Sequence, residues 1–133
     1  MKNKVVIITG ASSGIGEACA LELSDQGANL ILAARSEQKL KLLCEKINSK
    51  QGKAYYIVTD VSIESDCAKM IQFSIDKFGA IDILINNAGI SMRAIFEEIN
   101  LEVFEKLMKI NFYGAVYCTK YALPYILKNK GSV

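Results

Sequence analysis

The feature that most constrains this chain is a glycine-rich segment close to its first residue. The β-branched run Val5–Ile8 is typical of a buried strand, and Thr9-Gly10-Ala11-Ser12-Ser13-Gly14-Ile15-Gly16 follows it directly, before a helical pattern begins. Strand, glycine loop and helix in this order form a pyrophosphate site, because the open N–H groups at the helix start face the anion. The alternative is a glycine-rich turn that binds no ligand.

Each glycine of this loop has a physical reason to be there. Gly10 allows a sharp turn off the strand, Gly14 lets the backbone approach the phosphates, and Gly16 lets the helix pack closely on the sheet. The neighbouring hydroxyl groups and the first helical turn complete the site. The predicted phosphate loop consists of Gly10, Ser12, Ser13, Gly14, Ile15 and Gly16.

Composition excludes several classes of function. The 133 residues suit one domain, and 51% hydrophobic with 23% charged residues describe an ordinary globular protein. A net charge of +2 is too small to indicate binding to nucleic acid or to an acidic membrane surface. No apolar run is long enough to span a bilayer, and no signal peptide fits before the first strand. We therefore expect a cytoplasmic protein.

The chain has four cysteines and no histidine. Without histidine, histidine-based catalytic triads and histidine zinc sites are excluded, and any proton transfer must use tyrosine, lysine, a carboxylate or a thiol. The cysteines are widely spaced and form no C-x-x-C pair, so we expect buried, reduced thiols. No metal site is predicted.

Apolar runs alternate with amphipathic helical patterns along the chain. The runs are Val5–Ile8, Leu30–Ala34, Tyr55–Val58 and Ile81–Ile85, and their nearly continuous hydrophobicity is typical of a parallel sheet covered on both faces. Right-handed crossovers then favour the strand order 3-2-1-4. The sequence predicts one α/β domain over residues 1–133, a Rossmann-type doubly wound parallel sheet.

Several polar residues and glycines mark the predicted helix ends. Ser36, Ser62 and Asn100 are candidate N-caps, and Gly27, Gly52 and Gly79 lie where a left-handed residue ends a helix. From Leu101 to about Lys128 the pattern is helical, with a junction of two helices near 111–114.

The predicted strand order places two motifs at one crevice. The order reverses between strands 1 and 4, and ligands of such sheets bind at this point. The glycine loop follows strand 1, and Asn86-Asn87-Ala88-Gly89 follows strand 4. Ser91, Met92 and Arg93 come next, and they either edge a substrate pocket or form an ordinary exposed loop.

The end of strand 2 indicates which dinucleotide binds. Chains that bind NAD place an acidic residue there to hold the ribose 2′-hydroxyl. This chain instead has Arg35, whose guanidinium suits a 2′-phosphate, with Ser12, Ser13 and Ser36 as further donors. The sequence favours NADP(H) over NAD(H); the alternative is a solvated arginine at a strand end.

Together these motifs resemble the short-chain dehydrogenase/reductase family over the whole chain. Thr9–Gly16 matches its cofactor loop, Asn86–Gly89 its second signature, Asp60-Val61 its adenine-contacting pair, and Asn111 the asparagine of its catalytic set. Arg35 resembles the NADP-preferring members. Some of these also carry a basic residue where this chain has Ser13.

The resemblance implies a reaction and roles for residues. The reaction is hydride transfer between a nicotinamide cofactor and a ketone, an aldehyde or an alcohol. Asn87, Ala88 and Gly89 would line the nicotinamide-side ribose. Asn111 would bind, through its backbone, a water molecule of a proton relay.

The family also uses a serine and a tyrosine followed four residues later by a lysine. None of the six tyrosines has a lysine at that spacing. Gly131-Ser132-Val133 resembles the start of a fifth strand, and family members run to nearly twice this length. We therefore expect the cofactor-binding part of a longer enzyme, truncated as strand 5 begins and inactive alone. The alternatives are a non-catalytic dinucleotide-binding module and an inactive remnant.

Two features predict self-association. Tyr113, Tyr117, Tyr121 and Tyr125 form a stripe along the last helix, which is typical of core packing or of a dimer contact. Strand 4 would expose an apolar edge at residues 83–85. We expect a homo-oligomer.

Overall fold

Four strands and five α-helices follow one another in the computed structural model, which describes residues 1–133. The helices are α1 (Gly14–Asp25), α2 (Glu37–Ser49), α3 (Glu64–Phe78), α4 (Leu101–Met108) and α5 (Gly114–Lys128). The strands are β1 (Val5–Thr9), β2 (Asn29–Ala34), β3 (Lys53–Val58) and β4 (Ile83–Ile85). A 3-10 turn at Phe96–Glu98 precedes α4, and a π-helical turn at Lys109–Tyr113 joins α4 to α5.

The strands form one parallel sheet in the order β3-β2-β1-β4. Val6 of β1 pairs with Leu30 of β2 on one side and with Ile83 of β4 on the other. The predicted strand order is confirmed. β4 is shorter than predicted, because Ile81 and Asp82 precede the paired residues of the strand. Asp82 N nevertheless donates a hydrogen bond to Val5 O at 2.9 Å.

Each face of the sheet has its own hydrophobic core. Val6 and Ile8 pack on one face against α1 and α2, and Ile7 packs on the other face against α3 and α5. Adjacent strand residues point to opposite faces, so a continuous apolar run is buried on both sides. The predicted α/β fold with helices on both faces is therefore confirmed.

The predicted helix ends are partly correct. Asn100 caps α4 by accepting a hydrogen bond from Glu102 N at 3.0 Å, and Gly27 and Gly79 adopt φ of +80° and +72°. Ser36 lies at the N-cap position of α2 but makes no capping hydrogen bond. The predicted helix ends at these four residues are therefore correct in position, although the capping hydrogen bond expected from Ser36 is absent.

Two predicted helix ends are wrong. Ile63, not Ser62, precedes α3, because the amide and hydroxyl of Ser62 both donate to Asp60. Gln51, not Gly52, takes the left-handed conformation after α2, with φ of +67°. Gly52 has a different reason to be glycine, since a Cβ there would lie 2.6 Å from Ile47 Cγ2.

The residues that follow α5 return to the sheet. Ser132 forms a parallel bridge with Ile83, where Ser132 N donates to Asp82 O at 2.9 Å and Leu84 N donates to Ser132 O at 3.1 Å. The first part of the outer β4 edge is therefore covered, and the edge is less bare than predicted. None of the helices combines the length and apolar character that a membrane crossing needs.

The cysteines and the tyrosine stripe lie mostly against the core. All four cysteines are free thiols; Cys44, Cys67 and Cys118 are buried and Cys19 is half-buried. Burial raises the pKa of the Cys44 thiol to about 11, with a smaller contribution from the charge of Glu45. Three tyrosines of the stripe pack against the α3–α5 core, namely Tyr117, Tyr121 and Tyr125. This part of the stripe is therefore packing surface.

Candidate functional site

A cleft of about 290 Å³ opens at the carboxyl ends of the strands. Nine of the twelve predicted cofactor-binding residues line it: Gly10, Ser12, Ser13, Arg35, Asp60, Val61, Asn87, Ala88 and Gly89. Ser36, expected as a further hydroxyl donor, also lines it. The glycine loop and the asparagine turn therefore meet at one crevice, as the strand order requires.

The glycine loop is held by close backbone contacts. Gly10 has φ of +66°, and a Cβ there would lie 2.8 Å from Ala88 Cα. A Cβ on Gly16 would lie 2.6 Å from Asn87 Nδ2 and would clash with Gly10 O. Gly10 and Gly16 therefore allow loop, helix and asparagine turn to approach one another.

Gly14 differs from the other two glycines. Its φ is +58°, yet a Cβ there would meet no atom within 4 Å. The space beside Gly14 is open, which is the arrangement that a closely approaching ligand requires. Gly14, Ile15 and Gly16 form the first turn of α1 and do not line the cleft wall itself.

Two helices begin at the cleft without a capping side chain. Ser13 precedes α1 and Ser36 precedes α2, and neither side chain bonds to its helix. The first N–H groups of a helix lack intrahelical acceptors and carry a partial positive charge. Both serine hydroxyls and both helix starts are therefore available to an anionic ligand.

The asparagine turn is tied to the glycine loop by four hydrogen bonds. Thr9 Oγ1 accepts from Asn87 N at 3.1 Å and from Ala88 N at 3.0 Å. Asn87 Nδ2 donates to Thr9 O at 3.0 Å and to Gly10 O at 3.2 Å. The side chain of Asn87 thus holds the cleft together, while Ala88 and Gly89 face into it.

Asn111 lies in the π-helical turn, next to the cleft. Its Oδ1 accepts from Ile90 N at 2.9 Å, and its Nδ2 donates to Ile90 O at 2.8 Å. Both hydrogen-bonding groups of Ile90 are thereby fixed, and Ile110 and Ile90 line the cleft. Isolated π-helical turns occur frequently at functional sites, and this one places Asn111 against the asparagine turn.

Charges at the other end of the cleft come from β2 and β3. Arg35 is exposed at the end of β2, where no acidic residue is present. Burial acts to raise the pKa of Asp60, but hydrogen bonds from Ser62 and the positive charges of Arg35 and Lys106 outweigh it, so the net pKa lies below its usual value. Asp60 is therefore ionised at neutral pH, beside a guanidinium that stays charged.

Sequence reasoning missed four lining residues: Ala34, Thr59, Ile90 and Ile110. The first two end or follow strands at the carboxyl edge, so the strand assignments contained the signal. Ile90 and Ile110 adjoin predicted residues. Ser91, Met92 and Arg93 are exposed and do not line this cleft, so their place at the edge of a substrate pocket stays a prediction.

This fold and cleft define the class of α/β proteins that bind a nucleotide at the switch point of a parallel sheet. The chain belongs to the short chain dehydrogenase family, whose model matches residues 4–133.

Relatives and solved structures agree with this assignment. The chain is 42% identical to 11-beta-hydroxysteroid dehydrogenase A of Sesamum indicum, covering 98% of this chain and 38% of that one. It is 44% identical to 11-beta-hydroxysteroid dehydrogenase-like 2 of Arabidopsis thaliana, covering 98% and 43% respectively. The alcohol dehydrogenase of the archaeon Thermococcus sibiricus, complexed with 5-hydroxy-NADP, superposes with a TM-score of 0.95 at 31% identity, covering 98% and 57%. The chain thus spans between 38% and 57% of the length of these proteins.

Proposed function

We propose that this chain forms the cofactor-binding part of an NADP(H)-dependent oxidoreductase that interconverts a ketone or aldehyde with an alcohol. The observation that carries the proposal is Arg35, an exposed guanidinium at the end of β2 where an NAD site needs a carboxylate. When bound, the cofactor supplies or accepts a hydride at its nicotinamide ring. The residues of this chain bind and orient it.

The cleft offers donors that fit each part of NADP(H). The uncapped start of α1 and the open space beside Gly14 suit the pyrophosphate. Arg35, with the free hydroxyls of Ser13 and Ser36, suits the 2′-phosphate because a guanidinium binds phosphate oxygens in bidentate fashion. Asp60 and Val61 would contact the adenine ring, and Asn87, Ala88 and Gly89 the nicotinamide-side ribose.

The relatives support both the reaction and the cofactor. The two plant proteins are named hydroxysteroid dehydrogenases, and the archaeal alcohol dehydrogenase was solved with 5-hydroxy-NADP. These names favour chemistry between an alcohol and a carbonyl group. Asn111 is the proposed catalytic residue, acting through a water molecule on its backbone. We propose that the residues that exchange a proton with the substrate lie in the part of the relatives that this chain does not match.

Titration with NADPH and NADH tests the proposal. We expect the wild-type chain to bind NADPH more tightly than NADH, by fluorescence or calorimetry. Arg35→Asp removes a charge-assisted pair and adds repulsion, so NADPH affinity should fall at least about tenfold. NADH affinity should fall much less.

Arg93→Asp is the matched control, since Arg93 is also an exposed arginine but does not line the cleft. It should change neither affinity. If Arg35→Asp leaves NADPH affinity unchanged, the NADP preference is wrong. If the wild-type chain binds neither nucleotide, the proposed binding function is wrong, and the remnant alternative is favoured.

A further inference from the structure

Asn86 is the one residue of the asparagine turn that faces away from the cleft. Its Nδ2 donates to Thr119 Oγ1 of α5 at 3.1 Å, across 33 positions of sequence. The side chain of Asn87 points the other way, to the glycine loop. Two consecutive amides therefore attach one turn to two different parts of the protein.

We infer that Thr119 is a positioning residue for the nicotinamide side of the cleft, acting through Asn86. This inference rests on the proposed function. Thr119 sits on a rigid support, because its neighbours Cys118 and Ala122 are only 1% and 0% exposed and anchor α5 to the sheet. Its hydroxyl therefore has a fixed position from which to hold the turn.

The amide of Asn86 has no second anchor. Its Oδ1 is buried and has no hydrogen-bond partner, so the bond to Thr119 is the only one that its side chain makes. Buried polar groups without partners are costly. Removing the Thr119 hydroxyl leaves the whole amide unpaired, and the turn has to shift for the amide to reach another partner.

Such a shift acts on only one half of the cleft. Ala88 and Gly89 belong to the turn that Asn86 begins, whereas Arg35 and Asp60 follow β2 and β3 on the far side of β1. A ligand that spans both halves should respond to the loss of the hydroxyl. A ligand confined to the Arg35 side should not.

The test compares NADPH with 2′,5′-ADP, which carries the 2′-phosphate but no nicotinamide ribose. Thr119→Val keeps the shape of the side chain and removes the hydroxyl. We expect NADPH affinity to fall about three- to tenfold, which is the worth of one hydrogen bond. Affinity for 2′,5′-ADP should be unchanged. Thr119→Ser should restore NADPH binding, and Val116→Ala, at an exposed position of the same helix, should not alter it.

Asn86→Ala provides a second route if Thr119→Val unfolds the chain. It should produce the same selective loss for NADPH, and the double variant should lose no more than either single one. The inference is overturned if Thr119→Val or Asn86→Ala weakens the binding of both ligands equally, or of neither. It is also overturned if the two losses of NADPH affinity add in the double variant. If wild type binds neither ligand, the proposed function fails as well; if wild type binds and Thr119→Val binds equally well, only the inference fails.

Discussion

The side-chain nitrogen of Asn87 lies 3.2 Å from the carbonyl oxygen of Gly10 and donates a hydrogen bond to it. Gly10 follows β1 and Asn87 follows β4, and the two residues meet because these strands are neighbours in the sheet. The glycine loop and the asparagine turn therefore form one hydrogen-bonded unit at Thr9 and Gly10.

Gly10→Ala should break this unit. Its φ of +66° strains any other residue, and the added Cβ would lie 2.8 Å from the Ala88 backbone. We expect a loss of about 3 kcal/mol in the free energy of unfolding, from left-handed strain and overpacking together, measured by urea denaturation. NADPH binding should be lost in parallel.

Gly14→Ala separates backbone strain from close packing. Gly14 has a similar φ of +58°, but its Cβ would meet nothing. We expect a loss of only about 1 kcal/mol in stability, with a larger effect on NADPH affinity because the methyl group fills the space proposed for the pyrophosphate. Equal stability losses for the two variants would contradict the role given to the Gly10–Ala88 contact.

Asn111→Ala should loosen the turn after Gly89. The side chain bonds to both the N–H and the C=O of Ile90, so its removal exposes the Ile90 amide to water. We expect faster hydrogen exchange at Ile90 by NMR, while exchange at β1 amides stays unchanged. Asn100→Ala is the control, since it should affect the Glu102 amide and not that of Ile90. Unchanged exchange at Ile90 would contradict the prediction.

The sheet was predictable from the sequence because its signals are local and strong. The apolar runs of β1 and β2 are buried on both faces, although Tyr55 and Val58 of the edge strand β3 are exposed. The reversal of strand order follows from the handedness of crossovers. Several cleft residues were predictable because they are glycines and asparagines, which occur at turns and close backbone approaches that few other residue types allow. Arg35 was found because the expected carboxylate is absent at the end of β2.

What the sequence did not reveal depends on contacts between distant residues. Ser62 loses its predicted capping role to a hydrogen bond with Asp60, and Gly52 is glycine because Ile47 lies against it. The bond from Asn86 to Thr119 joins residues that no local pattern connects. Side-chain partners of this kind follow from packing, which a propensity argument does not describe.

Asp82 joins the start of β4 to the start of β1. Its Oδ1 accepts from Lys4 Nζ at 2.8 Å and its Oδ2 accepts from Val5 N at 2.9 Å. Burial acts to raise the pKa of this carboxyl, but the hydrogen bonds from Lys4 and Val5 and the lysine charge outweigh it, so the net pKa is lowered. The ionised form is thus the one that stabilises the fold.

Stability should therefore depend on pH through Asp82. Because the pKa of Asp82 is lower in the folded state, the stabilisation is complete above the unfolded value of about 3.9 and is lost as pH falls through the folded pKa.

Asp82→Ala leaves the Val5 N–H without its side-chain acceptor, so we expect a loss of about 2 kcal/mol in the free energy of unfolding at pH 7. Lys4→Met, which removes only a half-exposed partner, should cost less than about 1 kcal/mol. In urea denaturation from pH 7 to pH 3, the gap between wild type and Asp82→Ala should narrow below about pH 4. A gap of constant size would mean that the charge of Asp82 contributes nothing.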